Sequence, residues 1–284
     1  MKYGVTIFPT SRSVRPGEFA AAAEARGFES FWVPEHSHIP VSPMTPGPGE
    51  PGLPEMYYEL HDPFVALAMA AETTREILLG TSICLVVQRD PIQTAKEVAS
   101  LDQLSDGRFQ FGVGGGWNAP EIAHHGVAFE SRLAVMEERI AAMKQLWTQE
   151  KAEFDGEYVK FSPSFALPKP AQSPHPPIHV AANGPKGLGR VVRYGEGWFP
   201  LLTAEDPGGT LFDHLEPLRA KLRAAGRDPE SVEVSAYWCP PDEDLVKRCR
   251  DEGVDRVILM VDPMGRDEAL AVLDRHAELA ARIG

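Results

Sequence analysis

ILLGTSICLVVQRDPIQTAKEVASLDQLSDGRFQFGVGGGW, residues Ile77 to Trp117, holds two apolar runs separated by one helical pattern. The first run, Ile77 to Val87, is nearly unbroken and rich in β-branched residues, which suits a strand buried on both faces. Asp90 and Pro91 mark a helix start: aspartate accepts from the free N–H groups of a first turn, and proline presets φ there. Ile92, Ala95, Val98, Ala99, Leu101 and Leu104 fall on one helical stripe, and Gly107 supplies the stop. The second run, FQFGVG, ends in Gly114-Gly115-Gly116 before Trp117. Strand, crossover helix and strand in about forty residues make a βαβ unit with parallel strands.

The same unit recurs on both sides. Lys2–Phe8 and Phe28–Val33 read as strands, with a helix from Pro16 to Ala25 between them, and Asp62-Pro63 starts a helix running to Thr74. Beyond Trp117 come a short polar loop and an amphipathic helix, Ser131 to Thr148. Pro177–Ala182, Trp198–Leu202, Val232–Trp238 and Arg256–Val261 then read as strands, each followed by a helical pattern. Eight strands alternating with helices predict an α/β fold, a single (β/α)8 TIM barrel spanning 1–284 with insertions at its C-terminal face. A doubly wound open sheet is the rival; the even strand count and uniform composition favour the barrel. Two stretches interrupt the pattern. Residues 34–61 form a proline- and glycine-rich loop too long for a plain connector, read as an active-site cover. Residues 150–177 hold a small hairpin turning at Asp155-Gly156, then a proline-rich connector.

The net charge of −13 disfavours nucleic acid and anionic membranes as partners. Three cysteines, Cys84, Cys239 and Cys249, form no C-x-x-C pair, which points to a reduced, cytoplasmic setting. The chain enters a strand-like run at once, and no apolar stretch approaches the length of a membrane span, so a soluble, unexported protein is expected.

In a barrel, chemistry gathers at the carboxyl ends of the strands. His36 and His38 form an H-x-H pair after the second strand, and Asp262 follows the last, a pattern resembling zinc-dependent hydrolases. The set is incomplete, because His179 lies inside the fifth strand and no histidine or lysine ends the fifth or sixth; no metal is expected. Gly112 to Gly116 lacks the third glycine of a dinucleotide fingerprint, since Trp117 stands there, and no helix pattern starts at it. The glycines read better as room for a flat ligand against backbone, or else as a packing turn. In NGPKGLGR, Asn183 to Arg190, glycines precede a helix N-terminus, and Lys186, Arg190 and Arg193 add positive charge, a combination suited to a phosphate. No G-x-S-x-G elbow is present and Cys84 falls in a buried run, so nucleophilic catalysis has no support.

FESFWVPEHSHIP, LLGTSICLVVQRDPIQTAKEVASLDQLSDGRFQFGVGGGWN and IHVAANGPKGLGRVVRYGEGWFP together resemble the luciferase-like monooxygenase superfamily, in particular its actinobacterial coenzyme F420-dependent branch. The resemblance covers nearly the whole chain. It implies a barrel holding a tricyclic flavin or deazaflavin at its carboxyl mouth, backed by a third-strand bulge with a non-prolyl cis peptide, here Ser82-Ile83. It implies Glu35 and His36 beside the ring, Leu85, Gly114 and Gly115 as ring or ribityl contacts, and Asn183, Gly184, Lys186 and Gly187 as the phosphate loop. In sugar-phosphate dehydrogenases of the family an acidic residue follows the fourth-strand glycines. Trp117 occupies that place here and cannot carry a proton, so with His38 it reads as a wall of the substrate pocket. Glu121 is a nearby carboxylate, equally readable as a helix-start acid.

These readings converge on an F420-dependent oxidoreductase moving a hydride between the deazaflavin and a small organic substrate, with His36 and Glu35 as catalytic candidates. The alternatives are an FMN-dependent monooxygenase of the same fold and a non-catalytic flavin-binding barrel. A homodimer is expected from the resemblance alone.

Overall fold

The computed structural model describes residues 1–41, 52–203 and 206–284. Eight parallel strands close on themselves: β1 (Lys2–Ile7), β2 (Ser30–Val33), β3 (Leu78–Thr81), β4 (Phe109–Val113), β7 (Ile178–Ala181), β8 (Gly197–Phe199), β9 (Glu233–Cys239) and β10 (Arg256–Val261). The two remaining strands, β5 (Ala152–Asp155) and β6 (Lys160–Ser164), form the separate antiparallel hairpin expected near Asp155-Gly156. β10 pairs with β1 from Lys2↔Arg256 to Ile7↔Val261, and that closure excludes the open sheet.

Helices α1 (Pro16–Glu24), α2 (Pro63–Thr73), α3 (Pro91–Leu104), α4 (Ala119–His124), α5 (Arg132–Thr148), α6 (Pro185–Tyr194), α7 (Gly209–Ala224), α8 (Glu243–Asp251) and α9 (Arg266–Ile283) complete the fold. Their starts follow the local chemistry. The Asp62 carboxylate accepts from the N–H groups of Phe64 and Val65 and leads into Pro63, and Asp90 accepts from Gln93 N–H ahead of Pro91. Gly107, at φ +76°, turns the chain out of α3 towards β4, and its N–H reaches the Asp102 carbonyl at 2.8 Å.

Side chains fill the barrel. Near its amino end the fully buried Arg256 guanidinium is held at 2.7 Å by Glu29 and by Glu233. The Trp32 ring packs within 4.8 Å of Phe199 and 5.4 Å of His179, filling space left by Gly80, where a Cβ would lie 2.2 Å from the indole. Such a plug leaves the carboxyl mouth as the open end.

Two expectations need correction. The apolar run Ile77–Val87 is not one strand: β3 ends at Thr81 and Val86–Gln88 forms a short 3-10 turn. Between them lies the non-prolyl cis peptide, Ser82-Ile83, that the family resemblance implied. Past Thr81 the pairing thins: Ser82 N–H still meets the Val33 carbonyl at 2.8 Å and Cys84 keeps an isolated parallel bridge beside Val113, but Leu85 N–H turns to the Glu35 carboxylate at 2.6 Å. Apolar composition reported burial there, not conformation. The polar loop after Trp117 is also not all loop, because it contains α4. Asn118 accepts from Glu121 N–H ahead of Ala119-Pro120, a capping signal visible in the sequence.

Of the expected cover loop, 34–61, residues 42–51 lie outside the described residues. Its last part is pinned to the β1–α1 loop: Leu60 bridges Thr10, and the Arg12 guanidinium pairs with Glu55 and, at 2.7 Å, with Glu59.

Candidate active site

A cavity of about 560 Å³ opens at the carboxyl mouth. Its floor is backbone-rich, formed by Ser82, Ile83, Gly114, Gly115 and Ala181. The glycines there are shaped by protein packing. A Cβ at Gly112 would lie 1.9 Å from the Thr81 carbonyl oxygen, and one at Gly114 would lie 2.2 Å from Ile83 Cδ1. The broken third strand therefore fills the space those residues leave, and only Gly114 to Gly116 border the cavity itself.

Aromatic rings make one wall. His36 lies edge-on to Trp117 at 5.4 Å and tilted against Tyr57 at 5.4 Å, while Phe8 joins Tyr57 to Trp238. Trp238 adopts φ +62°, a left-handed conformation that costs about 1–3 kcal/mol outside glycine and clusters at functional sites. Burial pushes the Tyr57 phenol up to about 12, with Tyr237 adding to the effect, so Tyr57 stays a neutral hydrogen-bond donor at pH 7. The buried Ser82 hydroxyl donates to the Tyr237 hydroxyl at 3.3 Å.

Three charged assemblies border this space. Glu35 is buried, with Oε2 taken by Leu85 N–H and Oε1 by Arg89 Nε, each at 2.6 Å. Burial raises the Glu35 carboxyl while Arg89 opposes the rise, and the geometry is that of an ion pair holding the end of β2 to the third-strand break. His36 turns Nδ1 to the fully buried Glu121 carboxylate at 2.8 Å, and no hydrogen bond engages its Nε2 among the described residues. Arg132 of α5 and Arg190 of α6 also line the cavity. Burial and then the neighbouring Arg190 lower the Arg132 guanidinium, and Arg190 Nε is buried without a hydrogen-bond partner among the described residues.

The residues singled out from sequence do not all meet. Glu35, His36, Ser82, Ile83, Leu85, Gly114, Gly115, Trp117 and Asn183 border the cavity. Gly184, Lys186, Gly187 and His38 are not on its wall. Lys186 is exposed, Arg193 pairs with Glu137 at 2.5 Å, and Gly187 is small because a Cβ would lie 2.6 Å from Ala182 Cβ. His38 sits on the exposed rim. Sequence reading missed Arg132, Tyr57 and Tyr237. Arg132 begins a surface-patterned helix, and nothing local distinguishes it from other helix-start cations. Burial pushes the Cys84 thiol well up, which leaves it an inert core residue.

The family model for luciferase-like monooxygenase matches residues 11–241. The chain belongs to this family. Among luciferase-like relatives, an uncharacterised protein of Mycobacterium tuberculosis is 40% identical over 281 residues, covering 98% of each chain. An F420-dependent hydroxymycolic acid dehydrogenase of the same organism is 32% identical over 216 residues, 75% of this chain and 55% of that one. The crystal structure of monooxygenase RslO1 from Streptomyces bottropensis superposes with a TM-score of 0.79 over 99% of both chains at 22% identity, which establishes shared fold alone. Members of this luciferase-like family are oxidoreductases and monooxygenases.

Proposed function

We propose that this chain is an F420-dependent oxidoreductase that moves a hydride between the deazaflavin and a small organic substrate. The observation that carries the reading is a largely apolar, backbone-floored slot that also presents Arg132 and the orphaned Arg190 Nε. A flat ring with an anionic tail matches both parts, and a buried guanidinium nitrogen without a partner is a group awaiting an acceptor. The F420-dependent mycobacterial relative supports the deazaflavin over FMN. When bound, the cofactor supplies the hydride chemistry, and the protein supplies position and proton handling.

Arg132, Arg190 and Asn183 hold the anionic tail. Ser82, Ile83 and Gly115 back the ring. Glu35 occupies both oxygens in keeping the third-strand break in place, so it positions the floor and does not carry protons. His36 exchanges a proton with the substrate oxygen at Nε2, while Glu121 fixes Nδ1 as the bonded nitrogen. Trp117 and Tyr57 exclude water and favour an uncharged, apolar substrate over a sugar phosphate.

Side-by-side titration of the apoprotein with F420 and FMN tests this reading. Tighter binding of F420, followed by its reduction with a small alcohol, is expected. Preference for FMN with oxygen-dependent turnover would replace the reading by the monooxygenase one. Tight binding of either cofactor without redox turnover on any acceptor would leave a binding barrel.

A further inference from the structure

A second hydrogen-bonded assembly leads away from His36 on its Nδ1 side, opposite Nε2. Glu121 Oε2 meets His36 Nδ1 at 2.8 Å, and Glu121 Oε1 accepts from Ser37 N–H at 3.0 Å and from Ser37 Oγ at 3.5 Å. Ser37 Oγ also meets His125 Nε2 at 2.8 Å and His38 Nδ1 at 2.9 Å. His38 Nε2 then meets His124 Nδ1 at 2.8 Å. His36 and Glu121 are enclosed, whereas Ser37, His38, His124 and His125 are exposed. The string therefore runs from the cavity wall to solvent, its longest link the 3.5 Å between Ser37 Oγ and Glu121 Oε1, and each side chain in it can both take and release a proton.

Two blander uses fit less well. A metal would need imidazole lone pairs converging on one point about 2.0–2.1 Å from each nitrogen. Instead the His38 and His124 rings are nearly parallel, at 14°, with their nitrogens facing each other at 2.8 Å. No group of metal-binding side chains with a suitable arrangement exists among the described residues. A mere staple between the β2 loop and α4 is already provided by Glu121 and Ser37 N–H, and further exposed imidazole bonds would add little to it.

We infer that Glu121, Ser37, His38, His124 and His125 form a proton relay connecting His36 to solvent. A proton arriving at His36 Nε2 releases the Nδ1 proton to Glu121 Oε2. The carboxyl turns over and passes it to Ser37 Oγ, whose own proton leaves to His125 Nε2 or His38 Nδ1, and from there to water directly or through His124. One proton enters, one leaves, and the reverse sequence recharges the site. His125 is surrounded by His38, His124, Glu121 and Arg139, and burial followed by His38 holds its imidazole below the ordinary value. That keeps it neutral and ready to accept near pH 7. On the His36 side the facing groups are Glu121 and the neutral Tyr57 and Trp117.

The relay's service to hydride chemistry rests on the proposed function; its existence does not. The proton shared by His36 Nδ1 and Glu121 faces the string, so its exchange with water reports the path in the full chain without cofactor. Nitrogen-15 imidazole spectra should show that exchange slowed roughly tenfold or more in Ser37→Ala, with Ser37→Thr restoring it. His38→Gln combined with His125→Gln, both exposed, should slow it as well and covers the case in which Ser37→Ala folds poorly. Exchange at the wild-type rate in the double variant overturns the relay, whether or not F420 binds. Failure of F420 to bind, with exchange slowed as expected, overturns the cofactor reading and leaves the relay standing.

Discussion

Gly112, inside β4, and Gly114, just past its end, are two residues apart, yet their replacement by alanine should have opposite consequences. At Gly112 the added Cβ would sit 1.9 Å from the Thr81 carbonyl oxygen, a backbone atom in the neighbouring barrel strand. Relieving that clash requires two central strands to part by roughly 1 Å in a close-packed interior. The Gly112 carbonyl accepts from Cys84 N–H at 2.8 Å and from the Thr81 hydroxyl at 2.7 Å, and both bonds would be stretched. Overpacking costs about 1–3 kcal/mol and each weakened hydrogen bond about 1 kcal/mol, so Gly112→Ala should lose about 3–5 kcal/mol. For a chain of this size that corresponds to a fall in thermal midpoint of roughly 10 °C. At Gly114 the atom in the way is Ile83 Cδ1, the end of a flexible side chain, so a rotamer change costing under about 1.5 kcal/mol resolves it. The displaced Ile83 would then move into the cavity it lines. Thermal unfolding followed by circular dichroism, with cofactor titration of both variants, separates the cases: Gly112→Ala should fail in stability, and Gly114→Ala mainly in binding. A Gly112→Ala protein with a wild-type midpoint would refute the claim that packing against the third-strand break dictates this glycine.

Glu35→Gln should destabilise the fold by about 1.5–3 kcal/mol, the worth of a buried hydrogen bond to a charged group, because Arg89 keeps Asp62 at 2.5 Å and Glu97 at 3.0 Å; loss of turnover with an unchanged midpoint would instead make Glu35 a proton carrier. Arg132→Ala and Arg190→Ala should each weaken cofactor binding about tenfold, in line with about 1.5–3 kcal/mol for a hydrogen bond to a charged group. Lys186→Ala, on an exposed side chain, should change affinity less, and isothermal titration ranks the three. Burial, reinforced by Arg256, lowers the His179 imidazole from 6.5 to about 3. The unfolded chain therefore binds a proton that the folded chain refuses: the stabilisation is full above pH 6.5 and drains as pH falls towards 3, at about 1.4 kcal/mol per unit. His179→Gln should flatten that part of the midpoint-against-pH curve between pH 6.5 and 5, and an unchanged slope would show that His179 is protonated in the fold.

The pattern of apolar runs, capping aspartates and stop glycines was enough to specify strands, helices and their alternation. Each of those signals acts over a few residues and is carried by the chain itself. Asp90-Pro91 starts α3 and Gly107 ends it for reasons complete within the segment. The alternation of units then left the closed barrel as the favoured way to bury both faces of parallel strands. The break in the third strand was signalled by the family resemblance but not by the apolar run Ile77–Val87, because the Glu35 carboxylate that takes Leu85 N–H out of the sheet arrives from beyond a neighbouring strand. The functional glycines read alike in sequence, although Gly187 is small to fit against Ala182 and Gly114 to fit against Ile83. Trp117, which cannot itself carry a proton, stands four residues from Glu121, and only the short helix α4 turns that carboxylate onto His36. Arg132 and Arg190 lie on different helices and become a pair only when the barrel closes between them. Local hydrogen bonding and periodicity are short-range and survive in a string of letters; the convergence of charges from distant segments is a property of tertiary packing, which no local stretch contains.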